Sequence, residues 1–368
     1  MSKPSLVIMA GGTGGHVFPG LAVAKQMATQ GWKIEWIGTA DKMEAELVPK
    51  HGYNIHFIDI GGVRGKSLFT KMLAPLKLLS ALFQSIRLLR RIQPKVVLGM
   101  GGYASGPGGI AAWVLNIPLI IHEQNAIFGM TNKYLAKIAK YILTGFDLFA
   151  SPSNNHKHNV KPSNMHYVGN PIRESFFAIA EKANQDISSP VNILIIGGSL
   201  GALALNRAVP KALLSLVEDT EIRVKHQSGR HKHEQVKSDY NNMPNVDVLE
   251  FIDDMESAFA WSDIIICRAG ALTVAEVAGA GRAALFVPLP IAVDDHQTVN
   301  AKYLSDKGGA IILPQAALED SLLTQIRELC ESPKLRSNMA AKAKACAHPR
   351  ATAEICAVIE QASKERKV

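Results

Sequence analysis

A stretch near residue 270 combines a strand end, a helix start and a carboxylate, which together could hold a ligand. The apolar run 263–267 stops at Arg268, and a helical pattern that carries Glu276 begins at once. In an open α/β sheet, ligands bind beyond the carboxyl ends of the strands, where helix N-termini offer free N–H groups and positive potential. Thr273 and Glu276 also have the S/T-x-x-E spacing of a capping box, in which both side chains only satisfy backbone N–H groups. On these residues alone, a ligand site and a capping box both remain open.

A glycine-rich loop follows the first apolar run of the chain. Residues 11–16 read Gly-Gly-Thr-Gly-Gly-His, and glycine lets a backbone approach an anion at a helix N-terminus. Position 17 is Val, so the dinucleotide pattern G-x-G-x-x-G is absent, as is the acidic residue expected about 20 residues further on. We predict a phosphate or diphosphate loop that is not specific for NAD. A tight turn alone would explain only one or two of these glycines.

A second glycine-rich strand end lies in the same half of the chain. Residues 99–109 read Gly-Met-Gly-Gly-Tyr-Ala-Ser-Gly-Pro-Gly-Gly, and together with the first loop they suggest a sizeable anionic ligand. Residues 61–67 are similar to a phosphate-binding Walker A loop, but the first glycine of that motif would have to be residue 60, which is Ile. An NTPase is therefore excluded.

No metal site is predicted. Residues 122–125 read His-Glu-Gln-Asn, but position 126 is Ala, so the H-E-x-x-H motif of zinc proteases is absent. No D-x-D occurs, so a leaving diphosphate would need helix amides and a cation, which Ser199 and Arg173 could provide. Without further ligands nearby, we expect solvated side chains at the clustered histidines, namely His156, His158, His226, His231 and His233.

Short apolar runs alternate with helix-length segments, which indicates βαβ units and parallel sheets. The runs are 6–10, 34–37, 55–60, 96–100, 119–121, 141–144, 191–196, 222–225, 246–249, 264–267, 284–287 and 310–313. The pattern of residues 6–15 recurs at 193–202, after the polar stretch 151–164 and a division near Asn170 and Pro171. We predict an α/β protein with two Rossmann-like, doubly wound domains facing a cleft, one over 1–169 and one over 170–348. The apolar stripe of the tail predicts that a helix over 349–368 packs back on the first domain; its residues are Ile355, Val358, Ile359 and Ala362.

The chain has the composition of a globular protein, with 368 residues, 47% of them hydrophobic and 20% charged. It has no uninterrupted apolar run of about 18 residues, no signal-peptide pattern, and four cysteines without C-x-x-C spacing. The net charge of +8 is concentrated between residues 60 and 122, which contain no acidic residue. The basic residues there are Arg64, Lys66, Lys71, Lys77, Arg87, Arg90, Arg91 and Lys95, interleaved with many leucines. Core-packed helices with a basic outer side are one interpretation; we favour an anionic membrane surface, and no nucleic-acid module accompanies the stretch.

Eight motifs, taken together, resemble one family of enzymes. They are Gly-Gly-Thr-Gly-Gly-His-Val-Phe-Pro-Gly (11–20), Gly-Gly-Tyr-Ala-Ser-Gly-Pro (101–107), His-Glu-Gln-Asn (122–125), Gly-Asn-Pro-Ile-Arg (169–173), Gly-Gly-Ser-Leu-Gly-Ala (197–202), Ile-Asp-Asp-Met (252–255), Arg-Ala-Gly-Ala-Leu-Thr (268–273) and Asp-Asp-His-Gln-Thr-Val-Asn-Ala (294–301). In order and spacing they are similar to glycosyltransferase family 28, and within it to the GT-B enzymes that add GlcNAc from UDP-GlcNAc to lipid I and form lipid II of peptidoglycan. The resemblance runs from about residue 6 to about residue 355.

The resemblance implies that the second half of the chain holds UDP-GlcNAc. Ile252 would contact the uracil through its backbone, and Glu276 would bind the ribose hydroxyls. Ser199 and Arg173 would bind the diphosphate, and Gln297 would reach the sugar hydroxyls. The residues lining the nucleotide would be Ala271, Leu272, Thr273, Val274 and Ala275.

The resemblance also implies an inverting reaction, in which a base takes the proton from the C4 hydroxyl of MurNAc as it attacks opposite the leaving UDP. His16 is our candidate for that base; the alternative is that it only binds acceptor phosphate or backbone. Thr13, Gly14, Gly15 and Asn125 would face the cleft from the first domain.

No cofactor and no obligatory metal are expected. The implied location is the cytoplasmic face of the bacterial inner membrane, with cell-wall synthesis and division proteins as further partners. Two alternatives remain open: a related GT-B transferase that moves a hexose to another glycolipid, and a module that binds a nucleotide sugar without turnover.

Overall fold

The computed structural model describes residues 3–61, 74–148, 162–180, 190–198, 201–216, 221–290 and 295–365. The chain divides into two compact units, Met1–Ile172 with Arg350–Val368, and Arg173–Pro349. The sequence places the first break after residue 169, three residues before the observed one. The first unit is therefore formed by two separate segments of the chain, and the second unit by the continuous segment between them.

The first unit contains a seven-stranded sheet in the order β3-β2-β1-β4-β5-β6-β7, with every neighbouring pair parallel. Its strands are β1 (Ser5–Ala10), β2 (Lys33–Gly38), β3 (Asn54–Phe57), β4 (Val96–Gly101), β5 (Leu119–Glu123), β6 (Tyr141–Thr144) and β7 (Met165–Tyr167). The strand order reverses between β1 and β4, and ligands of open α/β sheets bind at such a switch point. Strand β7, which the sequence analysis missed, is three residues long, and only Met165 in it is buried.

Helices cover both faces of this sheet because its central strands β1 and β4 are almost entirely buried. They are α1 (Gly14–Thr29), α2 (Glu44–Lys50), α3 (Ala74–Ile92), α4 (Ser105–Val114), α5 (Met130–Leu135) and, from the chain's tail, α13 (Ala351–Lys364). One core includes Leu6 and Ile8 of β1 with Val17 of α1, and the other includes Val7 and Met9 with Ala111 of α4. Alternate residues of β1 therefore enter opposite cores, as strand geometry requires.

Helix α13 completes the first of these cores. Ile355, Cys356, Ile359 and Ala362 are buried there beside β1 and α1, and Val358 is partly buried against it. Lys140 also forms an ion pair with Glu365 at 2.5 Å. The apolar stripe of the tail therefore packs on the first unit in the way its helical spacing indicates.

The second unit contains a six-stranded parallel sheet in the order β10-β9-β8-β11-β12-β13. Its strands are β8 (Val191–Ile196), β9 (Ile222–Gln227), β10 (Val246–Leu249), β11 (Ile264–Cys267), β12 (Ala283–Phe286) and β13 (Ile311–Ile312). Its helices are α6 (Leu203–Leu214), α7 (His233–Asp239), α8 (Met255–Trp261), α9 (Ala271–Ala280), α10 (His296–Ser305), α11 (Leu318–Glu331) and α12 (Pro333–Ala345). The switch point of this sheet lies between β8 and β11, where α9 begins.

One histidine expected in solvent is instead fully buried. Strand β9 continues two residues beyond the apolar run 222–225, and this places His226 in the interior with 0% exposure. His226 Nδ1 lies 2.9 Å from the Tyr240 hydroxyl, and its Nε2 lies 3.2 Å from Asn206 Oδ1. Burial lowers its pKa from 6.5 to about 3. The prediction of a solvated side chain is therefore wrong for His226, while His231 is exposed and His156 and His158 lie outside the described residues.

Within the described ranges, no helix is both long and apolar enough to cross a bilayer. The four cysteines are buried and free.

Candidate active site

The first glycine-rich loop joins β1 to α1 at the switch point of the first sheet. Thr13 is the residue before α1, its backbone is extended, and its side chain makes no capping hydrogen bond. Gly14 and Gly15 form the first turn of α1, with Thr13 and Gly15 exposed. Because α1 is 16 residues long, its N-terminus offers positive potential and N–H groups to an anion. The geometry fits the phosphate loop that the sequence suggests.

A buried carboxylate that the sequence analysis missed supports this loop from inside the protein. Glu44 at the start of α2 has 0% exposure, and its Oε2 accepts a hydrogen bond from the Gly12 N–H at 3.0 Å. Its Oε1 accepts from the Thr39 N–H at 3.0 Å and from the Thr39 hydroxyl at 2.7 Å. A Cβ on Gly11 would overlap the Glu44 carboxylate, so close packing explains why position 11 is a glycine. The only sequence signal was an acidic residue shortly after β2, the strand beside β1.

His16 lies one turn into α1 and is half-buried. Its Nδ1 is 3.1 Å from the Gly11 carbonyl oxygen, and since a carbonyl only accepts, Nδ1 carries the proton and Nε2 has a free lone pair. Burial lowers the pKa of His16, and the nearby charges of Glu123 and Glu44 and the bond to Gly11 oppose that shift. The imidazole is therefore neutral at neutral pH, as a general base must be.

The second glycine-rich motif packs directly against the first. Gly101 and Gly102 have φ of +104° and +86°; a Cβ on Gly101 would lie 2.8 Å from the His16 ring, and one on Gly102 would overlap the Gly11 carbonyl. Gly108 and Gly109 similarly make room for neighbouring side chains of the core. The two motifs therefore lie side by side. Packing and backbone conformation explain four glycines of the second motif, so these glycines do not by themselves indicate a bound anion.

Residues 122–125 hold the adjoining loop in place. The buried Glu123 carboxylate accepts hydrogen bonds from the Asn125 N–H at 3.0 Å, the Asn125 side chain at 3.2 Å and the Asn132 side chain at 2.9 Å. The preceding residue, His122, is also buried, with Nε2 2.9 Å from the Gly169 carbonyl oxygen, and burial lowers its pKa to about 4. Glu123 therefore orients Asn125 and also places a negative charge near His16.

In the second unit, Glu276 lies in the middle of α9, the helix that follows β11 at the switch point. Helix α9 begins at Ala271 with Gly270 as its N-cap, and no side chain caps it. Thr273 is therefore already in the third helical position, and the capping-box interpretation of Thr273 and Glu276 is wrong. Glu276 is half-buried, and burial raises its pKa to about 7 against the opposing charge of Arg173, with Glu256 adding to the increase.

Arg173 is held by a second carboxylate that the sequence analysis missed. Its Nε lies 2.9 Å from Glu256 Oε1, an oxygen that also accepts from the Ser175 hydroxyl at 2.9 Å. The guanidinium lies 5.2 Å from the centre of the Phe176 ring. Arg173 and Glu276 are thus close enough to interact electrostatically, as a shared ligand would require.

The other residues predicted for the donor occupy the same end of the second sheet. Ile252 is buried between β10 and α8, and Gln297 in the first turn of α10 accepts a hydrogen bond from the Leu289 N–H at 3.0 Å. In α9 the side chains of Ala271 and Val274 are buried, so that only their backbone could line a ligand, while Leu272, Thr273 and Ala275 are half-buried. Ser199 lies outside the described residues.

Arg268 has a structural task in this part of the second unit. Its guanidinium donates to the carbonyls of Val287 and Pro288 at 3.0 and 3.2 Å, and to Gln315 Oε1 at 2.7 Å. It therefore ties the end of β11 to the segment after β12. Among the residues that the structure describes, no three His, Cys, Asp or Glu side chains lie together as a metal-binding group.

Two doubly wound α/β units, each with a parallel sheet and with candidate residues at its switch point, have the architecture of the GT-B fold. The model of the glycosyltransferase family 28 N-terminal domain matches residues 6–144, and that of the family 28 C-terminal domain matches residues 192–355. The chain belongs to glycosyltransferase family 28. The predicted family and fold class are confirmed.

Relatives and solved structures agree with this assignment. The chain is 47% identical to a protein of Shewanella loihica over 99% of both chains, and 51% identical to one of Tolumonas auensis over 88% of both. Both are named UDP-N-acetylglucosamine--N-acetylmuramyl-(pentapeptide) pyrophosphoryl-undecaprenol N-acetylglucosamine transferase. The crystal structure of Acinetobacter baumannii MurG matches with a TM-score of 0.81 and 41% identity, covering 97% of this chain and 99% of that one. The glycosyltransferase of kitacinnamycin, at a TM-score of 0.72 and 14% identity, shares the fold alone.

Proposed function

We propose that this protein transfers N-acetylglucosamine from UDP-GlcNAc to the C4 hydroxyl of MurNAc in lipid I, forming lipid II with a β-1,4 linkage. The observation that carries the proposal is the 47% identity, over 99% of both chains, to a relative whose name states this donor and acceptor. The similarity includes both units, and each contains a site whose side chains suit its part of the reaction.

On the acceptor side, we propose His16 as the general base. Its Nε2 lone pair takes the proton of the C4 hydroxyl as that oxygen bonds to the anomeric carbon, while the carbon–oxygen bond to the diphosphate breaks and UDP leaves with the electron pair. The charges of Glu123 and Glu44 favour the imidazolium that forms. Thr13, Gly14 and Gly15 would receive the acceptor's diphosphate at the start of α1, and Asn125 would contact its sugar.

On the donor side, Glu276 would accept hydrogen bonds from the ribose hydroxyls, and Ile252 would present its backbone to the uracil. Arg173 would neutralise the diphosphate and Ser199 would donate a hydrogen bond to it, which requires Arg173 to share or exchange its bond to Glu256. Gln297 would bind the sugar hydroxyls. With a cation and helix amides in these roles, we propose that transfer needs no metal, so EDTA should leave the rate unchanged.

The proposed reaction is tested with the purified full chain, UDP-GlcNAc and a lipid I analogue. We expect UDP release together with a disaccharide product, and a His16→Gln variant should bind UDP normally but turn over at least 100-fold more slowly, since general bases contribute on the order of 10² or more. Faster transfer from UDP-glucose or UDP-galactose would favour the related hexosyltransferase. Binding of UDP with no release in any assay would indicate the non-catalytic module.

We further propose that the enzyme works at an anionic membrane surface on the cytoplasmic leaflet, where a lipid-linked acceptor meets a nucleotide sugar. The first turns of α3 expose Leu76, Leu79 and Phe83 to 64%, 51% and 69%, and only Ala81, Ser85 and Leu89 of this helix are fully buried. The exposed basic residues of the same helix are Lys77, Arg87, Arg90 and Arg91. Helix α3 packs against α4, which exposes Trp113 and Val114.

Exposed apolar residues that share a helix with exposed basic side chains have the composition that binds the boundary of anionic lipid headgroups. A wholly core-packed helix would bury these leucines. Arg64, Lys66 and Lys71 of the basic stretch lie outside the described residues. Binding of cell-wall synthesis and division proteins as further partners stays a prediction.

A further inference from the structure

One peptide group of the first glycine-rich loop is hydrogen-bonded at both of its ends. The N–H of Gly12 donates to Glu44 Oε2 at 3.0 Å, and the carbonyl of Gly11, in the same amide plane, accepts from His16 Nδ1 at 3.1 Å. A fully buried carboxylate and the imidazole of the proposed base are therefore linked through a single peptide bond.

Such a pair of hydrogen bonds polarises the peptide group between them. An anion bound to the N–H side of an amide increases the negative charge on its carbonyl oxygen, because consecutive hydrogen bonds polarise one another in a low-dielectric interior. The carbonyl of Gly11 is then a stronger acceptor for the Nδ1 proton than an ordinary backbone oxygen. In serine proteases a carboxylate bonded directly to Nδ1 fixes the tautomer and stabilises the imidazolium, and here one peptide lies between the two groups.

Hydrogen bonds and close packing hold the Glu44 carboxylate in this position. Its three hydrogen bonds, one to Gly12 and two to Thr39, satisfy an ion that has no exposed surface. A Cβ at Gly11 would overlap the carboxylate and one at Gly38 would overlap the Cγ of Glu44, so both glycines leave room for this side chain. A purely structural spacer would not need a charge there.

We propose that Glu44 is a positioning residue of the transfer reaction: through the Gly11–Gly12 peptide it holds His16 with the proton on Nδ1 and stabilises the imidazolium formed when Nε2 accepts the proton. The inference rests on the proposed function only for its catalytic consequence. The tautomer of His16 and its dependence on Glu44 are properties of the unliganded protein.

The charges that act on His16 come from two directions. Glu44 acts from α2 through the peptide, and Glu123 acts from the end of β5 through space. Both oppose the effect of burial on the pKa of His16. Removing the charge of Glu44 should therefore lower that pKa further and leave the contribution of Glu123 in place.

The test uses full-length protein labelled with ¹⁵N-histidine, with the His16 signals assigned by comparison with His16→Gln. In the unsubstituted protein above the His16 pKa, we expect Nδ1 to be protonated and Nε2 unprotonated. In Glu44→Gln, we expect a shift toward the Nε2-protonated tautomer and a lower His16 pKa. The acid limb of the kcat profile should move to lower pH, and kcat should fall about tenfold with an unchanged KM for UDP-GlcNAc, the size expected when a charge-assisted bond becomes neutral.

Thr39→Val is the matched control. It removes the hydroxyl that donates to the same carboxylate but leaves the charge and the Gly12 bond, so it should lower thermal stability without changing the His16 tautomer or the pH profile. The proposal is overturned if the unsubstituted protein carries the proton on Nε2, a result that needs no variant to fold. It is also overturned if Glu44→Gln keeps the tautomer, the His16 pKa and the pH profile. Absence of UDP release by the unsubstituted enzyme would instead count against the proposed function and leave the tautomer measurement valid.

Discussion

Glu276 is a carboxyl group whose protonation should control binding of the donor. Burial raises its pKa to about 7, so an appreciable fraction is protonated at neutral pH in the absence of ligand. Hydrogen bonds from ribose hydroxyls favour the carboxylate, which accepts on both oxygens. We expect the affinity for UDP-GlcNAc, whose diphosphate diester does not titrate near neutrality, to rise as the pH increases from 6 to 8. Isothermal titration calorimetry at several pH values measures this.

Replacing Glu276 by Gln should raise the KM for UDP-GlcNAc about tenfold, because hydrogen bonds to charged groups contribute about 1.5–3 kcal/mol. The KM for lipid I should change little, and the rise of donor affinity between pH 6 and 8 should disappear. Steady-state kinetics with each substrate varied in turn provides the comparison. Equal increases of both KM values would contradict the ribose role.

Two buried histidines predict how stability depends on pH. Burial lowers the pKa of His226 to about 3 and that of His122 to about 4, below the value of about 6.5 in an unfolded chain. The unfolded state therefore binds more protons between these values, and the free energy of unfolding is retained above pH 6.5 and decreases as the pH falls below it. Each histidine should cost about 2 kcal/mol at pH 5 relative to pH 7. Chemical denaturation at pH 7, 6 and 5 tests this, and equal stability at all three would contradict it.

At the level of residues, sequence patterns located the glycine loops and strand ends of the candidate site, but not Glu44 and Glu256, the carboxylates that hold Gly12 and Arg173. The glycines of 11–15 and the carboxylate of Glu276 stand in short motifs next to strand ends, where local spacing carries the signal. Glu44 and Glu256 act on residues 32 and 83 positions away from them in the chain, at Gly12 and Arg173, and no local pattern specifies such pairs. The capping-box interpretation failed because the helix begins at Ala271, before Thr273.

Among the elements, α3 makes the proposal about the membrane testable. Changing Leu79 and Phe83 to Gln should weaken cosedimentation with vesicles containing anionic lipid, because both side chains are exposed and apolar. Leu203→Gln is the matched control, since this leucine of the second unit is 53% exposed, against 51% for Leu79, and lies on a different helix. Unchanged cosedimentation of the double variant would show that Leu79 and Phe83 do not contribute to membrane binding.

The basic residues of α3 provide an independent readout. Lys77, Arg87 and Arg90 replaced by Gln should reduce binding to anionic vesicles about fivefold per residue, since each basic group near such a surface contributes about 1 kcal/mol. The effect should disappear with neutral vesicles and diminish with added salt. A loss of equal size on neutral lipid would indicate a change in folding.

The elements themselves were largely predictable. Each apolar run overlaps a strand of the structure, because strands of a parallel sheet are buried on both faces and read as continuous apolar segments. Strand β7 was not predicted because it is only three residues long and only Met165 in it is buried. The end of β9 was misjudged because His226 is polar by type, and its burial depends on Tyr240 and Asn206, two partners outside the strand.

At the scale of the whole molecule, the tail of the chain belongs energetically to the first unit. Ile359 of α13 has 0% exposure in the core shared with β1, so Ile359→Ala should destabilise the first unit by about 2–5 kcal/mol. The second unit should be unaffected, and its unfolding transition can be identified in calorimetry because UDP would raise its temperature. A shift of only the UDP-sensitive transition in the variant would contradict this division.

The return of the chain to its first unit also determines the order in which the two units can mature on the ribosome. The seven strands of the first sheet are translated early, but Ile355 and Ile359 belong to its core and follow the entire second unit in the chain. The second unit is continuous in sequence and can fold as soon as its own residues have emerged. During synthesis, the half of the protein that is made first is therefore the last to close its core, and it exposes apolar surface to chaperones until α13 arrives.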